Sequence, residues 1–380
     1  MKRCAYLLYG VHASGIINSQ AVDVAKYLDS IPEVSCKLIA FLPFPFALKT
    51  HKSLEKFYSQ SLPKTRALPQ RLWPLFLKLE SLRLSWKVKK GEIDTLICRG
   101  AFATLIAIET RDRFCKDLRV CYDGRGAMAA EHEEYGVYPS YLVTFMEMCE
   151  KRSVLESNIR IAVTSELVGY WTTRYGYQSS NPGDVVVIPT TLAENQIKRG
   201  VHLEEFRRKK RAELEVKTNE ILLIYSGSTA GWQSLELLNK YLRNWLTGNE
   251  FIKVLILAKP HKNFKELQLE FPNRITRKFV DHSEVFNWLA AGDYGLILRN
   301  QSVTNSCASP TKYAEYMLAG LRVISNSKTG VGPGVGMISA DRLTSSTKSE
   351  REMWQDKANK QFNKSYYLHE YKSITKKIND

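Results

Sequence analysis

Residues 309–320, SPTKYAEYMLAG, place a lysine and a glutamate one helical turn apart, just after residues that typically begin a helix. A helix N-terminus presents backbone N–H groups and a dipole of roughly +0.5 charge, so it favours a bound phosphate. Lys312 would add a full positive charge there, and Glu315 could accept hydrogen bonds from a pair of sugar hydroxyls. The alternative is an ordinary surface helix whose Lys–Glu pair contributes only about 0.2–0.5 kcal/mol. The segment alone is compatible with both.

The same segment defines both ends of the helix and separates its two faces. Ser309 is suited to the N-cap, Pro310 to the first helical position and Gly320 to the C-terminal cap. At 100° per residue, Lys312 and Glu315 lie opposite an apolar face. That apolar face comprises Tyr313, Ala314, Met317 and Leu318. We therefore predict that the lysine and the glutamate remain available for chemistry while the apolar face is buried.

Further candidates in the second half of the chain follow apolar strands. The loop SGSTAGWQ combines glycines with hydroxyl side chains, and Ser226 and Gly227 stand where a backbone could approach a phosphate or a base. Arg299 ends the strand that precedes the 309–320 segment, and an arginine there could bind a phosphate through two parallel hydrogen bonds. A structural ion pair is the alternative role for Arg299.

The first half of the chain carries a second group of candidates. Gly15 lies in the loop between the first strand and a helix, where the backbone could approach an oxygen of the donor, although the loop lacks the G-x-G-x-x-G spacing of dinucleotide sites. Arg99 ends the third strand. The segment YDGRGAMAAEHEEYG follows the fourth strand and contains Asp123, Arg125 and Glu131. Its glycines suggest a tight turn that aims these side chains inward, whereas solvated loop charges are the alternative.

Composition indicates a globular protein with an anionic partner. The chain has 380 residues, 44% hydrophobic and 25% charged, enough for two domains with their own cores. The formal net charge of +16 favours a nucleic acid, a phospholipid surface or a phosphorylated substrate. Seven cysteines without zinc-type spacing favour reduced, mostly buried thiols. No apolar run approaches the ~20 residues needed to cross a bilayer, and the apolar stretch at the N-terminus is too short for a signal peptide, so we expect a cytoplasmic protein.

Short apolar segments alternate with longer helical patterns along the chain. This alternation predicts an α/β protein with two doubly wound parallel sheets, whose ligands bind beyond the carboxyl ends of the strands. The predicted strands are 4–10, 36–42, 95–99, 119–123, 159–164, 184–189, 220–227, 252–258, 275–280, 294–299 and 322–326. The highly charged segment 193–219 is typical of a connector followed by a surface helix. We therefore predict domains at 1–190 and 191–355.

Residues 281–326, DHSEVFNWLAAGDYGLILRNQSVTNSCASPTKYAEYMLAGLRVISN, resemble the donor-binding region of group 1 glycosyltransferases, the GT-B enzymes of bacterial surface-polysaccharide assembly. Weaker similarity extends to SGIINSQAVDVAKYL, YDGRG, IRIAVTSELVGYWTTRYG and VVVIPTT, so it spans most of the chain. The resemblance implies two Rossmann-like domains facing a central cleft, the first on the acceptor side and the second binding the nucleotide sugar. It also implies that residues 356–380 form a C-terminal helix that crosses back to the first domain.

The resemblance implies roles for the candidates in the second half. Glu315 would hold the nucleotide ribose, and the turn from Ser309 through Thr311 to Lys312 would cradle the diphosphate. The family pattern E-x(7)-E would place a second glutamate where this chain has Cys307. The usual Arg and Lys pair after the first strand of the second domain is also missing.

Other cations are predicted to substitute for the missing pair. Arg299 together with Lys312 would form the pyrophosphate site. In the first half, YDGRG falls where such enzymes orient the acceptor or the donor sugar, and Arg99 is the acceptor-side candidate. The predicted catalytic residues are Asp123, Arg125 and Glu131.

The resemblance implies a glycosyltransferase that retains the anomeric configuration and moves a sugar from a nucleotide-sugar donor to a saccharide, often lipid-linked, acceptor. The pathway would be capsule, O-antigen or lipopolysaccharide synthesis. The sequence offers no D-x-D motif, so we expect no metal and no cofactor. One alternative is a GT-B-like sugar-nucleotide epimerase. The other is a nucleic-acid-binding protein, but the basic residues are spread through helices rather than gathered in an aromatic-interleaved motif, so we expect no nucleic-acid partner.

An apolar stripe between the second and third predicted strands is flanked by cations. The stripe consists of Leu72, Leu75, Leu79, Leu82 and Trp86. The cations are Lys78, Arg83, Lys87, Lys89 and Lys90. This pattern fits either a core face or an interfacial helix on anionic lipid. We predict peripheral docking on an anionic membrane surface, at the inner face of the cytoplasmic membrane.

Overall fold

The computed structural model describes residues 1–11, 17–43, 65–69, 72–136, 139–181, 183–192, 194–199, 202–326 and 337–375. The chain divides into two compact units. The first unit comprises Met1–Pro189 together with the segment that begins at Lys364, and the second comprises Thr190–Asn363. The first boundary lies next to the predicted position 190. The return to the first unit begins at Lys364 rather than at 356.

Each unit contains one parallel β-sheet. The strands are β1 (Lys2–Tyr9), β2 (Val34–Pro43), β3 (Thr65–Ala67), β4 (Thr95–Arg99), β5 (Arg119–Gly124), β6 (Ile159–Ala162), β7 (Val185–Val187), β8 (Ile221–Ser226), β9 (Ile252–Leu257), β10 (Ile275–Lys278), β11 (Tyr294–Ile297) and β12 (Arg322–Ser325). The order is β3-β2-β1-β4-β5-β6-β7 in the first unit and β10-β9-β8-β11-β12 in the second. The described pairings are parallel, which gives the doubly wound order of Rossmann-like domains.

The helices connect successive strands. They are α1 (Asp23–Asp29, preceded by a π-helical turn at Asn18–Val22), α2 (Trp73–Gly91), α3 (Ala101–Phe114), α4 (Met128–Tyr135), α5 (Ser140–Glu156), α6 (Ser165–Tyr175), α7 (Glu194–Arg199), α8 (Leu203–Glu213), α9 (Leu235–Gly248), α10 (Lys262–Glu270), α11 (His282–Leu289), α12 (Val303–Cys307), α13 (Thr311–Leu318), α14 (Lys348–Phe362) and α15 (Leu368–Ile374). Short 3-10 turns lie at Gly231–Gln233, Ala340–Arg342 and Lys364–Tyr367. Within the described ranges, no helix combines the length and the hydropathy needed to span a bilayer.

The predicted strands are all present, with ends that lie within two residues of the predicted ones. They form strands because their apolar residues are buried on both faces, as parallel sheets covered by helices require. In β8, for example, Leu222 belongs to the core beneath α13 and α14, while Leu223 and Tyr225 belong to the core on the other face, with α9. The edge strand β3 was not predicted, because a three-residue strand carries too little periodicity to be recognised.

Helix α13 packs unusually closely against β11. A Cβ at Gly295 would lie 2.4 Å from the Tyr316 ring, so only glycine allows this approach. The Tyr316 hydroxyl in turn accepts a 2.8 Å hydrogen bond from the backbone N–H of Ser226, at the end of β8. The helix is thereby fixed to the carboxyl edge of the second sheet.

The return segment is attached to the first unit by a buried ion pair and by its apolar side chains. Lys364 Nζ lies 2.5 Å from Asp23 Oδ2. Tyr371 and Ile374 of α15 are buried in the core of the first unit, where Tyr371 packs edge-on against Tyr27.

Candidate functional site

The strand order places a topological switch point between β8 and β11. These strands are neighbours in the sheet, but the chain continues from them in opposite directions, and ligands of doubly wound sheets bind beyond the carboxyl ends at such a point. β8 ends at Ser226 and is followed by Gly227, whereas Arg299 closely follows β11. Lys312 lies in the first turn of α13. Four residues predicted from the sequence therefore lie at this edge, which we call the donor edge because the sequence analysis predicts donor binding there.

Lys312 is held at the donor edge by neutral partners. Its Nζ donates a 2.8 Å hydrogen bond to Gln233 Oε1 and lies 4.3 Å from the centroid of the Tyr225 ring. Burial and the nearby Arg299 guanidinium lower the pKa of Lys312 well below the ordinary lysine value, although the Glu315 carboxylate opposes this effect. A desolvated ammonium without a carboxylate in contact is costly, and such groups concentrate at binding sites.

Gly227 gives the Lys312 side chain its position. Its φ is +153°, and a Cβ at this residue would lie 2.2 Å from both Cε and Nζ of Lys312. The Gly227 N–H donates a 3.0 Å hydrogen bond to the carbonyl of Leu257 at the end of β9, which fixes the loop. The ammonium therefore lies directly against a backbone that has no side chain of its own.

Arg299 supplies a second cation at the donor edge, and this one is buried. Only 6% of its surface is exposed. The Asn326 side-chain amide makes two hydrogen bonds with the Arg299 backbone. Arg299 N donates to Asn326 Oδ1, and Asn326 Nδ2 donates to the Arg299 carbonyl, both at 2.8 Å. Arg299 Nη1 lies 3.4 Å from Asn305 Oδ1. The predicted pair of cations, Arg299 and Lys312, is thus close enough for one to perturb the pKa of the other.

A buried charge at the other edge of the same sheet is neutralised directly. Asp293 precedes β11, and its carboxylate accepts hydrogen bonds from Arg207 at 2.7 Å, Arg211 at 3.2 Å and the backbone of Leu222 at 2.8 Å. Burial would raise the pKa of Asp293, but the two arginines and the backbone donor hold it below its usual value. This contrast distinguishes an internally satisfied structural charge from Lys312.

The predicted start of the helix is one residue too early, because Pro310 is not the first helical residue and Ser309 is not the N-cap. Its hydroxyl accepts a 2.9 Å hydrogen bond from the backbone N–H of Thr190, and its carbonyl accepts a 2.8 Å bond from the Thr190 hydroxyl. Pro310 occupies the N-cap position and the helix begins at Thr311. Ser309 is buried, and its hydrogen bonds join Thr190 to the start of the helix, so its side chain serves the fold.

Glu315 lies one turn after Lys312 and is partly exposed, as predicted. Its Oε1 accepts a 3.1 Å hydrogen bond from Gln196 Nε2 of α7. The apolar face predicted for this helix is buried in the core of the second unit.

The predicted C-terminal cap at Gly320 is confirmed. Gly320 has φ +75°, its N–H donates to the Met317 carbonyl at 2.9 Å, and the Leu321 N–H donates to the Tyr316 carbonyl at 2.9 Å. These two bonds form the Schellman arrangement, which glycine favours. The end of α13 is therefore sharply defined.

The first unit gathers charged residues around Asp123, at the end of β5. Only 2% of Asp123 is exposed. It accepts a hydrogen bond from the Tyr6 hydroxyl, its Oδ1 lies 3.4 Å from Arg125 Nη1, and its Oδ2 lies 3.9 Å from Arg99 Nη1. Arg99 also donates a 2.7 Å hydrogen bond to Gln20 Oε1. Two guanidiniums around one carboxylate leave a surplus positive charge.

Burial and the contacts around Asp123 determine the protonation states of Tyr6 and Arg125. Burial and Asp123 raise the pKa of Tyr6 well above its ordinary value, so its hydroxyl remains protonated. Burial would lower the pKa of Arg125, but the Asp123 carboxylate raises it above its ordinary value, so Arg125 stays charged. The Asp123 carboxylate already accepts a hydrogen bond from Tyr6 and contacts both arginines. Asp123 is therefore better suited to positioning Arg99 and Arg125 than to acting as a base.

Glu131 is separate from that cluster. It lies in α4, and burial together with the neighbouring Glu134 raises its pKa. The start of α4 is held by Glu150, whose carboxylate accepts hydrogen bonds from the backbone of Met128 and Ala129 at 3.0 and 2.9 Å. Burial raises the pKa of Glu150 to about 7. Within the part of the chain that the structure describes, no ion pair or hydrogen bond joins Glu131 to the aspartate.

Several residues that complete these groups were not predicted. Gln233 and Tyr225, which hold Lys312, are neutral, although Gln233 belongs to the loop SGSTAGWQ that the sequence singled out. Gln196 contacts Glu315 from the connector, and Tyr6 lies inside a strand where it resembles any core aromatic. Gly15, predicted to contact the donor, lies outside the described residues.

Solved structures resemble this chain over its whole length. The glycosyltransferase from Rickettsia africae ESF-5 has a TM-score of 0.70 and 14% sequence identity, with 99% of both chains covered. The lipopolysaccharide outer core galactosyltransferase WaaB has a TM-score of 0.61 and 12% identity, with 98% of both chains covered. The UDP-GlcNAc 2-epimerase from Neisseria meningitidis, bound to UDP-GlcNAc, has a TM-score of 0.54 and 12% identity, covering 98% of this chain and 94% of that one.

No family model and no curated protein sequence matches the chain. At the identities found, the structural similarity establishes the fold alone. The chain has the GT-B architecture of two Rossmann-like domains, as predicted from the sequence.

Proposed function

We propose that this protein is a glycosyltransferase that moves a sugar from a nucleotide-sugar donor to a saccharide acceptor. The observation that carries the proposal is the Lys312 ammonium, which lies against Gly227 at the switch point of the second sheet. Among the residues that the structure describes, its contacts are the neutral side chains of Gln233 and Tyr225. Arg299 adds a second cation there. A diphosphate would neutralise the Lys312 ammonium and offset the cost of its desolvation.

The chemistry of sugar transfer matches these residues. When the bond between the anomeric carbon and the donor phosphate breaks, negative charge develops on the departing nucleoside diphosphate. Preorganised cations and backbone N–H groups at a helix start stabilise that charge without reorganisation at the moment of reaction. We assign this role to Lys312, Arg299 and the first turn of α13 that begins at Thr311. Ser226 and Gly227 line the same edge, and the absence of a side chain at Gly227 would let the diphosphate reach the Lys312 ammonium.

Glu315 is proposed to hold the ribose of the nucleotide. Its carboxylate is fixed by Gln196 and lies one turn beyond Lys312, so a nucleotide whose phosphates meet the lysine would extend its ribose toward the glutamate. A carboxylate accepts hydrogen bonds from two neighbouring hydroxyls, which suits the 2′ and 3′ positions of a ribose.

The first unit is proposed to recognise the acceptor. Arg99 and Arg125, positioned by Asp123, offer a surplus positive charge that suits a saccharide carried on a phosphate or diphosphate. Glu131 remains a candidate for acid–base chemistry, because its raised pKa suits proton exchange better than that of a solvated glutamate. A role in surface-polysaccharide synthesis, with retention of anomeric configuration, is the finer form of the proposal and is supported by the sequence resemblance.

A thermal-shift screen tests the donor half of the proposal. The protein is heated with UDP-, GDP- and CMP-sugars and, separately, with a short nucleic-acid duplex. We expect a UDP-sugar or a GDP-sugar to raise the melting temperature, and the matching nucleoside diphosphate, UDP or GDP, to raise it as well. Stabilisation by the duplex alone would overturn the proposal.

A sugar-nucleotide epimerase is the second candidate, and it is favoured by the similarity to the Neisseria epimerase. Incubation with the stabilising nucleotide sugar, followed by NMR of the sugar ring, separates the two. A transferase releases the nucleoside diphosphate in proportion to added saccharide acceptor. An epimerase inverts a ring carbon without any acceptor and leaves the sugar attached to its nucleotide.

A further inference from the structure

Helix α2 exposes its most apolar face. Leu75 and Trp86 are each 76% exposed, Leu79 is 45% exposed and Leu82 is 44% exposed. At 100° per residue these four side chains fall within an arc of about 60°, so they form one continuous stripe along the helix. We call this stripe the outer face of α2. Single exposed leucines are ordinary, but a row of large apolar side chains on one exposed face is not.

The opposite face of α2 already packs in the first unit. Its buried residues are Trp73, Glu80, Ser81, Leu84, Ser85 and Val88. Glu80 accepts a 2.8 Å hydrogen bond from the Tyr9 hydroxyl, and Trp73 stacks on Phe102 with ring centroids 4.1 Å apart. The helix is therefore anchored by its more polar side.

The cations of α2 divide into two groups. Arg83 donates to both oxygens of Glu80 at 2.8 and 2.9 Å, and Lys87 lies 5.9 Å from the centroid of the Phe41 ring, so both are directed toward the unit. Lys78, Lys89 and Lys90 are exposed. On the helical projection these three border the outer face on its two sides. The surface is therefore an apolar stripe edged by ammonium groups.

We propose that the outer face of α2 docks on the surface of an anionic lipid bilayer, with the helix lying in the plane of the interface. The leucines and the tryptophan would enter the boundary between headgroups and acyl chains. The three exposed lysines would meet the lipid phosphates, which matches their charge. A bilayer fits better than a folded protein partner, because the exposed charges that border the stripe on this helix, Lys78, Lys89 and Lys90, are all cations.

Vesicle flotation tests this proposal without any donor or acceptor, so it stands or falls separately from the proposed activity. Wild-type protein is mixed with phosphatidylcholine vesicles that either contain or lack phosphatidylglycerol, at about 0.05 M and about 0.5 M salt. We expect flotation only with the anionic vesicles and a marked loss at the higher salt. Equal flotation with both vesicle types, or no flotation with either, would overturn the proposal.

Two sets of variants identify the face. Changing the exposed lysines, Lys78, Lys89 and Lys90, to Gln is expected to lower the partition coefficient about 100-fold, since each cation near an anionic surface contributes roughly a fivefold factor. The matched control changes Lys240, Lys262 and Lys265, exposed lysines of the second unit, and alters the net charge equally. We expect that control to lose less than about threefold. An equal loss in both triple variants would mean that net charge alone drives binding and would refute the site.

The apolar part is tested by the double variant Leu75→Ser and Trp86→Ser, with Leu269→Ser as its control because Leu269 is 73% exposed in the second unit. The double variant should melt like wild type and lose flotation even at low salt. Sedimentation velocity supplies a second readout. If the wild type forms dimers that the double variant abolishes, while flotation is unchanged, the outer face binds a second copy of the chain and the membrane proposal is wrong.

Discussion

Replacing Lys312 by Gln removes the central charge of the donor edge while keeping a side chain that can donate to Gln233 Oε1. We expect the dissociation constant for the nucleoside diphosphate to rise by about 10- to 150-fold. This range follows from the about 1.5–3 kcal/mol that a hydrogen bond to a charged group contributes. Calorimetric titration of the wild type and the variant at pH 7 measures the change.

The stability of the same variant distinguishes a binding role from a structural one. Because burial lowers the pKa of Lys312, the folded protein binds fewer protons than the unfolded chain between that lowered value and the ordinary lysine pKa of about 10.4. The stability of the wild type should therefore rise with pH across this window, and Lys312→Gln should remove the slope. At neutral pH the variant should melt at the same temperature as the wild type or higher, because a buried charge has been removed.

Lys265→Gln, on an exposed position of α10, is the control and should change neither affinity nor melting temperature. The reasoning is refuted if Lys312→Gln binds the diphosphate within twofold of wild type. It is equally refuted if the variant melts many degrees lower yet binds normally below its melting temperature, since the lysine would then serve the fold.

Other substitutions test the remaining contacts. Gly227→Ala should weaken diphosphate binding about tenfold or more by titration, because its Cβ would displace the Lys312 ammonium; unchanged affinity would remove Gly227 from the site. Glu315→Gln should weaken nucleotide binding without lowering the melting temperature, and it should weaken inorganic diphosphate binding far less. Arg125→Ala should reduce turnover more than donor affinity in steady-state assays, and equal turnover would exclude it. The raised pKa of Glu150 makes the folded protein bind more protons than the unfolded chain between pH 4.5 and about 7, so the free energy of unfolding of the wild type should fall by about 3 kcal/mol across this range. Glu150→Gln should abolish this fall in denaturant titrations. If the variant keeps the same slope, Glu150 is not the group that titrates.

Much of the fold could be predicted because its signals are local. Apolar runs such as ILLIYS and VLIL form strands buried on both faces, and the helical patterns between them require parallel pairing. The boundary near Pro189 follows from a change in composition. The point at which the chain returns to the first unit could not be read locally, since it depends on the ion pair between Lys364 and Asp23, residues from opposite ends of the chain.

The candidate site was predictable to the extent that the ends of parallel strands converge. Gly227, Arg299 and Lys312 are far apart in the chain, and the rule that ligands bind beyond carboxyl ends brings them together. The hydrogen bonds of Ser309 were not predictable, because its hydroxyl accepts from the backbone N–H of Thr190, a residue far away in the sequence. Sequence patterns show which residues suit a helix start but not which distant backbone group competes for them.

Helix α2 shows that hydrophobic periodicity in a sequence does not determine which face of a helix is buried. Its sequence contains a stripe of leucines with Trp86, which fits a core face as well as an exposed one. The structure buries the opposite side because Glu80 finds a partner in Tyr9 and Trp73 finds one in Phe102, and neither partner is visible from the helix sequence. The hydrophobic pattern therefore identified the stripe but did not show whether it faces the core or the solvent.

The central claim is that the donor edge of the second sheet binds a nucleoside diphosphate through Lys312. The most direct measurement is calorimetric titration at pH 9 in two buffers of different ionisation enthalpy, using the nucleoside diphosphate whose sugar stabilises the protein most. Because burial and Arg299 lower the pKa of Lys312 in the free protein and a bound diphosphate would raise it, we predict one bound ligand with net proton uptake in the wild type and none in Lys312→Gln. Binding with the same proton uptake in both proteins, or no binding of any nucleoside diphosphate, would contradict the account.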